Sequence, residues 1–176
     1  LGRAEIDVAL TYDLEIPKDV AFEELVSLPP SVMLPADHPL AARETVALEE
    51  LAREPMVLLD LPLSRDYFLA VFHDHGLQPD IAERTTDLSV ARSLVANGFG
   101  FGLMNMRMRT DLAPDGARLA TRSISGAVRP LGLGLASKRA ERRPRILSAF
   151  FEHMRARAAA QDLPGVCSEN SDGARP

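Results

Sequence analysis

The sequence holds a single cysteine, Cys167, in a polar stretch near its end. A disulfide framework is therefore excluded, and the usage suits a reducing compartment. Lysine is almost missing as well: Lys18 and Lys138 are the only two among twenty basic residues. With the many alanines, that arginine bias points to a GC-rich bacterial genome. Basic charge is in deficit overall, 20 Lys and Arg against 25 Asp and Glu. A free-standing nucleic-acid binder carries a basic face, so this chain by itself is not expected to grip DNA. No apolar run approaches the roughly 20 residues of a membrane helix. No charged segment followed by an apolar one marks a secretion signal, and no internal repeat is visible. What remains is a chain of 176 residues, 46% apolar and 26% charged, which suits a globular protein of one domain or two small lobes. It opens on Leu1, directly ahead of the strand-like Ile6-Asp7-Val8-Ala9-Leu10, so Leu1 reads as an artificial start.

Periodicity organises the rest. Residues 6–11 read as a short buried strand, and 12–19, polar and containing Pro17, as a segment crossing between lobes. Residues 25–34 are β-rich but interrupted by Pro29-Pro30, which implies an edge or bent strand. Asp37-His38-Pro39-Leu40 turns the chain into a short helix at 48–53, and 56–59 form a compact apolar strand. Ser64 is a candidate N-cap and Gly76 a candidate C-cap of the next helix, with Tyr67, Phe68, Val71 and Phe72 as its buried stripe. A strand at 81–85 follows. Asp87 then caps a helix through Asn97, with Val90, Leu94 and Val95 inward, and 99–104 return as a strand. Strand, helix, strand, helix, strand with short loops is the signature of a parallel sheet wound by right-handed crossovers. Two more strands are expected at 119–124 and 128–136, and a last helix near Pro144 with Ile146, Leu147, Phe150, Phe151 and Met154 on one face. From about Gln161 the composition turns polar and disorder is expected.

Three pieces in this order resemble the substrate-binding domain of LysR-type bacterial transcription regulators. Gly2 with Ile6-Asp7-Val8-Ala9-Leu10 is similar to the strand that ends the opening half of the first sensor lobe. Val32-Met33-Leu34-Pro35-Ala36-Asp37-His38-Pro39-Leu40-Ala41, followed by a short helix at 48–51, resembles the family's His-Pro-Leu-Ala segment. Leu94-Val95-Ala96-Asn97-Gly98-Phe99-Gly100-Phe101-Gly102 resembles its glycine-spaced helix-to-strand turn. The resemblance implies an α/β fold of the type 2 periplasmic-binding-protein kind, with one complete wound lobe plus part of a second lobe. On that reading residues 1–12 belong to the first sensor lobe, 22–104 form the second, 106–160 return to the first, and 161–176 are a disordered tail. The opening half of the first lobe, the linker helix and the winged helix-turn-helix would lie outside the chain. In that case apolar edges of the first lobe stay uncovered.

In such folds ligands sit beyond the carboxyl ends of the parallel strands. Leu61-Pro62-Leu63-Ser64 and Thr85-Thr86-Asp87 each follow a strand and open a helix, so backbone N–H groups there favour an anion. Pro62, Leu63, Ser64 and Thr86 are the effector-binding candidates, with Tyr12 reaching over from the hinge and Phe99 or Phe101 lining the crevice. Ser64 reads equally well as a plain helix cap. Asp87 reads as a cap rather than a contact, because its charge repels an anion. Gly98, Gly100 and Gly102 enter a strand, the reverse of a dinucleotide fingerprint, and suit a cap with close packing. His73 and His75 stand two apart on a helix and cannot share an ion. His38 reads as a turn residue and His153 as a surface one. Ser64-Arg65-Asp66 lacks the glycine-flanked elbow of a serine hydrolase. The arginines Arg107, Arg109, Arg118, Arg122 and Arg129 read mostly as solvated charge. No catalytic set, metal site or cofactor is expected.

The functional expectation is a cytoplasmic, non-enzymatic sensor of a small effector, carboxylates included. It would act on DNA only through a separate N-terminal domain, as a homo-oligomer when intact, and away from membranes. A solute-binding protein of the transport type shares the fold, and a small α/β enzyme is the remaining alternative.

Overall fold

The computed structural model describes residues 6–106, 108, 110–139, 144–160 and 162–163. Gly2, Arg107, Arg109 and Cys167, singled out above, lie outside them, as do Gln161 and 164–176 of the expected tail. The chain divides into two compact units, Leu1–Leu28 with Pro130–Pro176, and Pro29–Arg129.

The first unit is a three-stranded antiparallel sheet in the order β1-β9-β2, where β1 is Val8–Tyr12, β2 is Val20–Leu28 and β9 is Leu131–Lys138. Central β9 is buried from Leu131 to Ser137. A Cβ at Gly134 would stand 2.3 Å from the Glu23 carbonyl oxygen and 2.6 Å from the Phe22 ring. Only glycine lets β2 run that close while Phe22 lies over the strand. Helix α4 (Arg145–Ala159) packs on β2. Its Phe151 is fully buried, and Arg155 donates to Glu23 from both Nε and Nη2, the latter to Oε2 at 3.0 Å. Of the expected apolar face, Ile146 is instead 79% exposed and Phe150 41%. Past the helix, Asp162 pairs with Arg157 at 2.9 Å and Leu163 is buried, so these two residues do not share the character assigned to the tail.

The second unit holds β3 (Ser31–Pro35), a 3-10 turn (Pro39–Ala42), β4 (Thr45–Ala47), α1 (Leu48–Leu51), β5 (Pro55–Leu59), α2 (Pro62–His73), β6 (Asp80–Thr85), α3 (Leu88–Ala96), β7 (Gly102–Met104) and β8 (Leu119–Ser125). His38 opens the 3-10 turn by accepting the Leu40 amide on Nδ1 at 3.2 Å. Strands β5 and β6 pair in parallel, from Pro55↔Asp80 to Leu59↔Thr85. Phe101 bridges in parallel to Met56 and carries the ladder toward β7. Beyond it β3 lies antiparallel between β7 and β8, and β4 closes the edge parallel to β8. Leaving β5, the chain runs outward to β6 and then back past β5 to β7. The order of connection thus reverses between β5 and β7.

Both faces of β5 are covered, which is why its sequence is a continuous apolar run. Met33, Val57, Ala91 and Val95 form the core beneath α3. On the other face Phe72 of α2 meets Phe101 with ring centroids 6.0 Å apart. The stripe Tyr67, Phe68, Val71 and Phe72 is buried as its spacing implied. In α3 Ala91, Arg92 and Val95 are buried and Leu94 packs partly buried against the same core, so of the expected inward residues only Val90 departs, being exposed. Arg92 can be buried because its Nη2 donates to the carbonyls of Thr110 and Leu112 at 2.7 and 2.9 Å. Gly100, at φ +147, lies so near β5 that a Cβ would sit 2.3 Å from the Pro55 oxygen. Close packing, not phosphate chemistry, explains that glycine.

Two boundaries differ from the sequence reading. Residues 12–19 join β1 to β2 inside the first unit, and the crossing falls at Pro29-Pro30, where a pair without N–H donors interrupts the ladder. Strand β8, expected in the first lobe, pairs with β3 and β4 in the second unit. Neither assignment is local, because each depends on a partner strand far away in sequence.

Candidate functional site

Strands β5 and β6 end side by side, and each feeds a helix. Asp60 follows β5 and its amide donates to the Thr85 oxygen at the end of β6, 2.8 Å away. Its carboxylate accepts from Arg65 on α2 at 3.1 Å and from Arg84 on β6 at 3.2 Å. Asp66 also accepts from Arg65, at 3.0 Å. These contacts, the hydrogen bond to Asp66 first, raise the Arg65 guanidinium above its usual range and keep it charged. Two arginines and two carboxylates thus ring the strand ends.

The two helix starts differ in how they are filled. Helix α3 has Asp87 at its N-cap, with Oδ1 accepting the amides of Ser89 at 2.6 Å and Val90 at 3.3 Å. Thr85 Oγ1 accepts the Asp87 amide at 3.1 Å, so Thr85 and not Thr86 builds the turn, and Thr86 stands exposed beside it. Helix α2 begins one turn earlier than its sequence suggested. Leu61 is its N-cap, in extended conformation with no side-chain bond, and Pro62 is the first helical residue. Ser64 is therefore inside the first turn and does not cap it. Its backbone N–H and that of Leu63 belong to the orphan set that every helix start leaves, whereas Pro62 has none to offer. The helix dipole adds positive potential there.

Behind this turn stands a polar group that sequence reasoning missed. Tyr67 on α2 donates its hydroxyl proton to the Arg129 carbonyl at 2.8 Å and accepts from Asn105 Nδ2 at 3.1 Å. Asn105 directly follows β7. Its place as the first polar residue after an apolar strand end was the available signal.

Of the sequence-derived candidates, Pro62, Leu63, Ser64 and Thr86 share the strand-ending edge of β5 and β6. Phe101 does not join them: it is 1% exposed and fills the core against Phe72. Phe99 is 52% exposed but precedes β7, at the strand-starting edge. There it borders a hollow of about 380 Å³ beside the outer face of α3, lined chiefly by Val90, Leu94 and Pro114. Tyr12 ends β1 in the other unit, opposite Leu133, and burial pushes its phenol above the usual range. Among the described residues no group of three or more His, Cys, Asp or Glu is placed to hold a metal, and no helix is long and apolar enough to cross a membrane.

A chain that holds a wound unit whose connection reverses between β5 and β7 and a separate antiparallel sheet has many known counterparts. The LysR substrate binding domain profile matches residues 1–159. The chain belongs to that family. Among curated LysR relatives, the HTH-type transcriptional regulator TtuA of Agrobacterium vitis is 31% identical over 132 residues, covering 72% of this chain and 43% of TtuA. The chain therefore spans less than half the length of that relative. Among solved LysR structures, HinK of Pseudomonas aeruginosa superposes with a TM-score of 0.85 at 29% identity, over 90% of this chain and 55% of HinK. The effector binding domain of QuiR in complex with shikimate shares the fold, with a TM-score of 0.75 at 20% identity over 93% of this chain and 77% of that domain. The fold is thus the type 2 periplasmic-binding-protein-like α/β fold of LysR effector-binding domains.

Proposed function

We propose that this chain is the effector-sensing part of a bacterial transcription regulator, and that a small carboxylate settles over the first turn of α2. The observation that carries the reading is the unfilled cap at Leu61, set against the Asp87 carboxylate that fills the equivalent place on α3. The Leu63 and Ser64 amides and the Ser64 and Thr86 hydroxyls supply donors, and Pro62 presets the helical turn. Arg65 and Arg84 at the rim are already paired with Asp60 and Asp66, so the attraction for an anion comes from the helix start itself. The shikimate held by the QuiR domain is a carboxylate and fits the same chemistry.

Binding favours one lobe arrangement through unequal affinity, and in the intact regulator that choice reorients paired DNA-binding heads. Contact with DNA belongs to an N-terminal helix-turn-helix outside residues 1–159, and the working protein is a cytoplasmic homo-oligomer without enzymatic turnover. Relatives such as TtuA favour this role over solute transport.

The test is a thermal-shift titration of the intact regulator with a panel of small carboxylates, shikimate and benzoate included. A binder at a hundred times its Kd stabilises by about 2.7 kcal/mol. Ser64→Ala and Thr86→Val each remove one hydrogen bond and weaken that binder about fivefold, with operator affinity unchanged. Equal shifts in variants and parent remove these residues from the site.

A further inference from the structure

The chain passes between its two units twice, and both passages are tied to the end of one strand. At the first, only Pro29-Pro30 separates β2 from β3, and Ser31 Oγ donates to the Met104 carbonyl at 3.1 Å. At the second, residues 126–130 lead from β8 to β9. There the Tyr67 hydroxyl donates to the carbonyl of Arg129, the last residue of the second unit, at 2.8 Å. Asn105 steadies that hydroxyl at 3.1 Å. Met104 and Asn105 are consecutive, at the end of β7.

The two passages differ in freedom. Two prolines fix φ and offer no N–H in the first. The second ends on Pro130, which restrains Arg129 before it, but opens with Gly126 at φ +98, and residues 126–128 are the place where backbone angles can adjust. Tyr67 is well placed to govern it. Its ring is buried and meets Phe68 edge-on at 5.2 Å, which leaves the hydroxyl little room to wander. It also lies three residues after Ser64, on the same side of α2.

We propose that Tyr67 is a coupling residue. Its hydroxyl, positioned by Asn105, links the first turn of α2 to the adjustable passage at 126–130 by holding the Arg129 carbonyl, and it does not itself touch the effector. The proposal rests on the effector seat described above and adds how occupancy of that seat is passed on.

Amide hydrogen exchange on the intact regulator tests it without an added ligand. Tyr67→Phe keeps the ring and deletes the latch, so exchange at 126–129 rises roughly fivefold, the worth of one hydrogen bond, while β5 and β6 keep the parent's rates. Asn105→Ala moves the same segment in the same direction by less. Ser64→Asp then places a tethered carboxylate on the first turn of α2. It alters exchange at 126–129 about threefold when Tyr67 is present and leaves it unaltered in the Tyr67→Phe background. Unchanged exchange in Tyr67→Phe, a rise spread evenly over β5 and β6, or an equal response to Ser64→Asp in both backgrounds overturns the coupling. Failure of the effector seat looks different: carboxylates would leave the parent's melting temperature where it was, and the ligand-free cycle would still return its answer.

Discussion

Helices α2 and α3 sit on opposite faces of one sheet, each launched from the end of a parallel strand, yet their first turns are finished in opposite ways. Helix α3 carries its own anion, since Asp87 accepts two amides of the turn. Helix α2 starts from Leu61, whose extended backbone is suited to a cap and whose side chain cannot act as one. The same topology therefore yields one closed helix start and one open one, and the difference is a single side chain. A helix start left open where a connection reverses is available to a ligand, at a modest cost in stability.

The largest effect expected from disturbing this pair comes from the foot of α2. Phe72 is fully buried against Phe101, and Phe72→Ala should lower unfolding free energy by about 3–5 kcal/mol in urea titration. The corresponding truncation on the outward face of α3, Val90→Ala, should cost under about 0.5 kcal/mol. If the two losses were alike, α2 would not be the better buried helix. Next comes the exchange of caps. Leu61→Asp makes α2 resemble α3 and should raise stability by roughly 1 kcal/mol. The same change should weaken carboxylate binding about tenfold, as read by calorimetry, because the introduced carboxylate occupies the turn. Undiminished binding would show that the open cap is not the seat. In the opposite sense, Asp87→Ala should cost about 1 kcal/mol in chemical denaturation, the usual worth of an N-cap. The smallest effect marks the limit of the comparison, in the other unit. Burial raises the Tyr12 phenol above its ordinary value. A raised folded-state value means that stability is fully present below about pH 10 and is lost as pH rises through the folded value. Urea midpoints of Tyr12→Phe should therefore fall less between pH 8 and pH 10.5 than those of the parent, and parallel declines would contradict the assignment.

Much of this was legible before any coordinates. The aromatic stripe of α2 was readable from helical spacing alone, and so was the Asp87 cap, because both are set within a turn or two of chain. The glycine-spaced run after α3 was also readable as packing rather than phosphate binding. The candidate site was legible only in part. Ser64 looked like a cap because it is a good capping residue, but Pro62 is an equally good first helical residue and moved the start back one turn. Phe99 and Phe101 looked alike, and the structure sends one into the core and the other to the far edge. Tyr67 and Asn105 gave no joint signal, since they stand 38 residues apart and meet only through the end of β7.

The amino-acid order by itself determined the wound succession from β5 to β7, the break at Pro29-Pro30 and the family, because periodicity, caps and prolines act over neighbouring residues. Tertiary structure alone decided that β2 joins β9 and β8 joins β3, which edge each candidate residue occupies, and that one tyrosine ties a helix to a crossing segment. Those outcomes depend on hydrogen bonds between residues tens to more than a hundred positions apart, for which no local pattern carries the information.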